Sequence, residues 1–456
     1  MKKSFVQLFS LAMVFMSCHE SATSHQQPFQ LVTVDPGHFH AALVQKTMYP
    51  AIDSTVYVYG PPGNDMQLHL DRINSYNNRK ENPTHWNEKV YAGADFFEKM
   101  IKEKKGNLVV LSGNNQKKTD YILAALQNGF HVLADKPMAI DANGFEKLKE
   151  AFAVAEKNKR LLYDIMTERF EINTILQREL SRLPEVFGTL EKGSIDYPAI
   201  TKESVHHFYK YVSGAVLTRP AWFLDASQQG EGLVDVMTHL VDLVQWECFP
   251  ETIIDYTKDI QVLNAKGWPT AITKSEFNAI TKLHDFPSFL QPNIKDTVLH
   301  VFSNGELNYK IKGVHAKTAV IWNYKAPDGT GDTHYSIMRG TKANLVIRQG
   351  KEENYQPVLY IEPMKNDGAY EQQLTKAVIA LNKKYAGIQL SKSKQGWIIN
   401  IPAALKEGHE AHFAGVTENY LRYLSNGSLP AWEVPNMLAK YYTTTTGLTL
   451  ALKNRK

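Results

Sequence analysis

From residue 30 to residue 165 the apolar side chains come in short runs, each followed by a longer amphipathic stretch. The runs QLVTV, TVYVYG, NLVVLSG, HVLADKP and RLLYDIM begin at Gln30, Thr55, Asn107, His131 and Arg160. They are rich in Val and Leu, as expected of strands covered on both faces. Between them, KKTDYILAALQNG sets Ile122, Leu123, Ala125 and Leu126 at helical spacing and stops at Gly129. DANGFEKLKEAFAVAEKNK opens on Asp141, a residue suited to cap a helix N-terminus. This alternation predicts a parallel, doubly wound α/β sheet.

Beyond residue 180 the texture changes to extended segments broken by turns: FGTLEKGSI, DTVLHVFSNGELNYKIKG, HAKTAVIWNY, HYSIMRG, NLVIRQG and PVLYIEP. Asn304-Gly305 within SNGE reads as a hairpin turn. The segments predict an α+β region built on a largely antiparallel sheet. AYEQQLTKAVIALNKKY and FAGVTENYLRYLSNG read as helices, and GWIINIP as a short strand.

Composition narrows the class. Of 456 residues, 43% are hydrophobic and 21% charged, which is ordinary for a globular chain. The formal charge of +4 includes Lys2 and Lys3, so no electrostatic reason exists to expect a nucleic-acid partner. Those lysines precede an apolar run from Phe5 to Met16 that is too short to span a bilayer, then Ser17 and Cys18. The layout predicts a signal peptide over 1–17 and lipidation of Cys18. A polar tether over 18–29 follows, giving an exported, periplasm-facing lipoprotein held to the membrane by its lipid anchor only. Cys248, the other cysteine, sits among apolar residues and reads as core.

The strand-turn-helix LVTVDPGHFHAALV stands where a phosphate-binding turn is expected. It keeps Gly37 but carries Asp35 and His40 at the other glycine positions, with His38 and Phe39 between. Asp35 would bring negative charge toward a phosphate. His38 and His40 have a metal-like spacing, but the sequence identifies no third ligand, so no metal is expected. VYVYGPPGNDMQ lacks an acidic residue at the end of the second strand, and HEAHF at 409–413 lacks zinc-motif spacing and reads as packing or a contact. At the end of a buried strand, Lys136 in NGFHVLADKPMA points a cation at the ligand crevice of such a sheet. In QGEGLVDVMTHLVDLVQW, Asp235, His239 and Asp242 fall at i, i+4 and i+7 on one helical face. A carboxylate one turn before a histidine can orient it as a general acid/base.

ALQNGFHVLADKPMA and WFLDASQQGEGLVDVMTHLVDLVQW, in that order, resemble two signature blocks of the glucose-fructose oxidoreductase, inositol dehydrogenase and rhizopine-catabolism (Gfo/Idh/MocA) family. LLYDIMTERFEINTILQREL resembles that family's fifth strand and Arg-Phe turn, and FGTLEKGSI the strand opening its second domain. The resemblance covers residues 30 to 260, with the remainder a distinct C-terminal extension. It implies a Rossmann-like domain at 30–165 binding NAD or NADP and an open-sheet, substrate-binding domain at 166–456 that forms homo-oligomers. It further implies hydride transfer at a hydroxyl of a sugar or glycoside, with Lys136, His239 and Asp235 catalytic. Gly37, His38, Phe39, His40, Ser112, Asn114, Asn115, Asp135 and Lys136 would bind cofactor. Arg169, Trp222, Asp235 and His239 would bind substrate. The altered turn and the export signal keep two alternatives open: a carbohydrate-binding lipoprotein without catalysis, and a redox-assisted glycoside-cleaving enzyme with tightly held, recycled cofactor.

Overall fold

The computed structural model describes residues 29–212, 215–327 and 329–455. The expected signal peptide and Cys18 lie outside them. Strands β1 (Leu31–Val34), β2 (Thr55–Gly60), β3 (Asn87–Ala92), β4 (Leu108–Leu111), β5 (His131–Asp135) and β6 (Leu162–Ile165) form a six-stranded sheet in the order 3-2-1-4-5-6. Every pair is parallel, so the carboxyl ends, where such folds bind ligands, share one edge. The sequence pattern misses β3 because NEKVYA is a partly exposed edge strand with no apolar run. Asp141 caps the following helix as expected, accepting the Gly144 N–H at 2.7 Å.

A second, ten-stranded sheet runs in the order Ile260–Ile272, Val298–Ile311, Val314–Lys325, Ile200–Tyr209, Thr333–Arg339, Ala343–Arg348, Val358–Pro363, Gly396–Asn400, Gln389–Ser393, with Ile294–Lys295 joined to Val298–Ile311. Its pairs are antiparallel except Ile200–Tyr209 with Val314–Lys325. Two expectations are corrected here. Asn304-Gly305 is no turn but the middle of the strand Val298–Ile311. Asn304 is buried there, donating to the carbonyl of Trp268 and accepting the N–H of Trp322. Gly305 makes room for Leu233, and a Cβ on Gly232 would stand 2.0 Å from the Ser303 carbonyl, so this crossing needs small residues. The hairpin turns instead at Lys312-Gly313, both with positive φ. FGTLEKGSI supplies only one bridge, Leu190 to Gly340, and the opening strand of the second sheet is Ile200–Tyr209.

The chain then returns to the first sheet. Helix His409–Asn426 places Phe413, Val416 and Tyr420 in the first core, and the Tyr420 hydroxyl donates to the carbonyls of Val132 and Leu161. Helix Glu433–Asn454 gives Met437 and Tyr441 to the first core and Ala439, Leu448 and Ala451 to the second. Among the described residues no helix is long and apolar enough to cross a membrane.

Candidate active site

A cavity of about 810 Å³ opens between the carboxyl edge of the first sheet and the face of the second. Lys136 enters it from the end of β5, while Asp235 and His239 enter from the turn before, and the first turn of, helix Met237–Cys248. Lys136 and His239 therefore meet in one crevice, as the sequence predicts. The role expected of Asp235 changes. It accepts from the Lys136 ammonium at 2.5 Å, while Nδ1 of His239 has no hydrogen-bond partner. Burial first, and the Lys136 charge second, push the His239 imidazole down to about 4. At neutral pH it is an unprotonated base with a free nitrogen.

The other lining residues make a polar bowl. Glu168 lies 3.4 Å from Nε2 of His334 and 3.9 Å from that of His409. Burial opposes ionisation of this pair, but Glu168 raises His334 while His334 holds Glu168 well below the carboxylate range. On another wall, Asp332 accepts from His206, His207 and Lys210 at 3.1, 3.1 and 2.8 Å. Sequence reasoning missed Glu168, His206, Lys210, Asp332 and His334 because they lie in three segments far apart in the chain and converge only through the fold. The HEAHF segment does line the cavity, through His409 and His412.

The residues expected to hold cofactor divide into two groups. His38, Phe39, His40 and Lys136 line the cavity. Asp135 is buried beneath, accepting from His40 at 2.9 Å and Ser112 at 2.8 Å, while Lys118 donates to its backbone carbonyl at 3.0 Å. Burial lowers Lys118 to about 8. The pyrophosphate end is different. The N–H of Gly37 is donated to Asp35 and that of His38 to Ser112. A Cβ on Gly37 would stand 3.1 Å from both Trp222 and Asp65, and the Trp222 indole donates to Asp65 at 2.9 Å. The side-chain amides of Asn114 and Asn115 donate to Gln228 and Gln229. The residues present thus suit the reactive end of a dinucleotide. At the phosphate end, a segment of the second domain covers the turn.

Two residues expected to bind substrate lie outside the cavity. Trp222 does not line the cavity but stands over Gly37. Arg169 is buried in the interior, its guanidinium held by Asp242 at 2.7 Å and Glu433 at 3.0 Å. Lys440 joins the same network through Asp242 and Asp164 at 2.8 and 2.7 Å. Asp242, predicted to share a face with His239, belongs to this network and not to the cavity.

Residues 176–452 match the family described as Putative oxidoreductase C terminal domain. Residues 58–164 match the one described as Oxidoreductase family, NAD-binding Rossmann fold. The second match begins after the altered glycine turn. A crystal structure from Parabacteroides merdae ATCC 43184, provisionally named an oxidoreductase, is 55% identical with a TM-score of 0.92, covering 94% of this chain and 98% of its own. An oxidoreductase domain protein from Kribbella flavida matches at 14% identity and TM-score 0.61 over 94% and 98% of the two chains. A mutant 3-ketoreductase from Actinomadura kijaniata, solved with TDP-benzene and NADP, matches at 14% identity and TM-score 0.56 over 92% and 97%. These last two share the fold. Comparison with curated proteins gives no match. The chain belongs to the Gfo/Idh/MocA oxidoreductases, with that family's NAD-binding Rossmann-fold domain and the oxidoreductase C-terminal domain.

Proposed function

We propose that the protein oxidises a hydroxyl of a sugar or glycoside to a ketone, or runs the reverse reduction, with NAD or NADP as redox partner. The observation that carries this reading is the convergence of Lys136 and an unprotonated His239 in one polar cavity. The cofactor, when bound, supplies the hydride acceptor. The chain's own residues do the rest. His239, unprotonated and lining the cavity, takes the hydroxyl proton on its imidazole. Lys136, fixed by Asp235, stabilises charge developing on the same oxygen. The wall of paired acids, histidines and lysine suits a polyhydroxylated ligand, which exchanges many hydrogen bonds with water for equally many with protein.

The test is a glycoside panel incubated with NAD or NADP, with keto products read by mass. His239→Asn is expected to lower kcat by about 10²- to 10⁴-fold. Failure of the wild-type chain to take up either nucleotide would sink the reading. The covered glycine turn favours one alternative, a carbohydrate-binding protein without turnover. In that case His239→Ala would leave sugar affinity unchanged, and no keto product would form with any variant.

Export and anchoring complete the proposal. Cys18→Ala is expected to move the protein from the membrane to the soluble fraction, and unchanged fractionation would remove the lipid anchor. Self-association through the ten-stranded sheet is expected to show as a dimer by light scattering; a monomer at all concentrations would exclude it.

A further inference from the structure

The sequence offers His38 and His40 with no third ligand, and the fold supplies one from residues far along the chain. Asp135 ends β5 directly beneath the turn. Its Oδ2 lies 2.9 Å from Nδ1 of His40 and 3.5 Å from Nδ1 of His38, and the three donor atoms all fall within 4.8 Å of one another. Two ligands about 2.1 Å from a tetrahedral ion stand about 3.4 Å apart, which the 3.5 Å His38–Asp135 separation matches, while the 2.9 Å His40–Asp135 contact is a hydrogen bond that an entering ion would replace and widen.

The other carboxylate oxygen, Oδ1, is buried without a hydrogen-bond partner. A buried, ionised oxygen left unsatisfied is costly, and an ion held by both carboxylate oxygens would take its lone pairs. The two rings meet edge to face at 4.1 Å. Burial lowers both imidazoles, keeping them in the neutral form that binds metals. Ser112 donates to the carboxylate of Asp135, and Lys118 to its backbone carbonyl, which together orient the residue.

We propose that His38, His40 and Asp135 bind a divalent first-row transition cation of the zinc class. Two nitrogens and one carboxylate oxygen form a borderline donor set that favours such ions over Mg²⁺ or Ca²⁺. Each imidazole carries its one proton on Nε2 in the bound form, so the histidines release none on binding. The His40 N–H contact with Nδ1 of His38, at 3.4 Å, is given up. Because His38 and His40 line the cavity, the remaining positions open onto it for water or a substrate oxygen. The inference goes beyond the oxidoreductase reading and does not rest on it.

The experiment uses the full chain, stripped with chelator, desalted and loaded with Zn²⁺ or Co²⁺. Elemental analysis is expected to find about one equivalent per chain, Co²⁺ to give visible d–d absorption, and Zn²⁺ to raise Tm by linkage. Asp135→Asn, nearly isosteric and thus still folded, is expected to weaken binding about tenfold or more, as is the double variant His38→Gln, His40→Gln. The exposed His284→Ala should bind normally. Wild-type protein taking up no Zn²⁺ or Co²⁺ at micromolar concentrations overturns the inference, as does uptake undiminished in both the Asp135 and the double variant. Nucleotide content read on the same samples separates the two proposals, since metal uptake without nucleotide leaves this one standing and the other fallen.

Discussion

Protonation at single residues sets the working range of the cavity. His239 is held neutral by burial and by the Lys136 ammonium, with its pKa near 4. If it is the base, oxidation rate should be flat through neutral pH and fall only as pH drops through about 4. A pH–rate profile breaking instead near 6.5, the ordinary histidine value, would take His239 out of that role. Asp35 behaves oppositely. Burial first, then Asp65, raise its carboxyl to about 6. A folded-state pKa above the unfolded value means stability present at low pH and lost as pH rises through about 6. Asp35→Asn, which tolerates the positive φ at this position, is expected to raise stability at pH 8 and leave it unchanged at pH 4. The gain is on the order of 2 kcal/mol after allowance for screening, readable by denaturant titration at both pH values. Lys136 and His239 were legible in sequence because each terminates or begins an element with strong periodicity. The partners were not: Asp235 chooses Lys136 over His239, and Arg169 turns inward, because side-chain direction depends on neighbours from segments far away in the chain.

Elements with clear periodicity read well, and each exception has its own cause. The strands of the first sheet are buried on both faces, so their apolar runs announce them. β3 lies at the edge and has no such run. Asn304-Gly305 carries the strongest local turn signal in the second half, yet a long strand passes through it. Tertiary demand wins there, since Asn304 satisfies buried backbone groups on both neighbouring strands and Gly305 admits Leu233. The crossing gives its own prediction. Gly232→Ala would press a methyl group into the Ser303 carbonyl and should cost about 1–3 kcal/mol, seen as a lower denaturant midpoint with unchanged slope.

Across the whole molecule, the buried ions Asp164, Arg169, Asp242, Glu433 and Lys440 tie β6, the turn after it, helix Met237–Cys248 and the last helix into one node. Lys440→Met would strip Asp164 and Asp242 of a shared cation in a site without water access. A loss of about 3–5 kcal/mol is expected. Because the node ties the first sheet to helices that pack in the second core, calorimetry should show one transition moving as a unit. A separate early transition for either sheet would mean the two unfold independently. The doubly wound and antiparallel halves could be told apart in the sequence, but their shared closure by the C-terminal helices could not. An amphipathic helix does not declare which core it serves.

That closure bears on how the chain is made. Tyr420 holds two strand carbonyls of the first sheet, and helix Glu433–Asn454 completes both cores. During synthesis the first sheet therefore emerges from the ribosome with a flank still uncovered, and neither half can finish until the helix Glu433–Asn454 has emerged. Premature termination anywhere before residue 433 would yield no usable module, only a sticky fragment for proteases to clear.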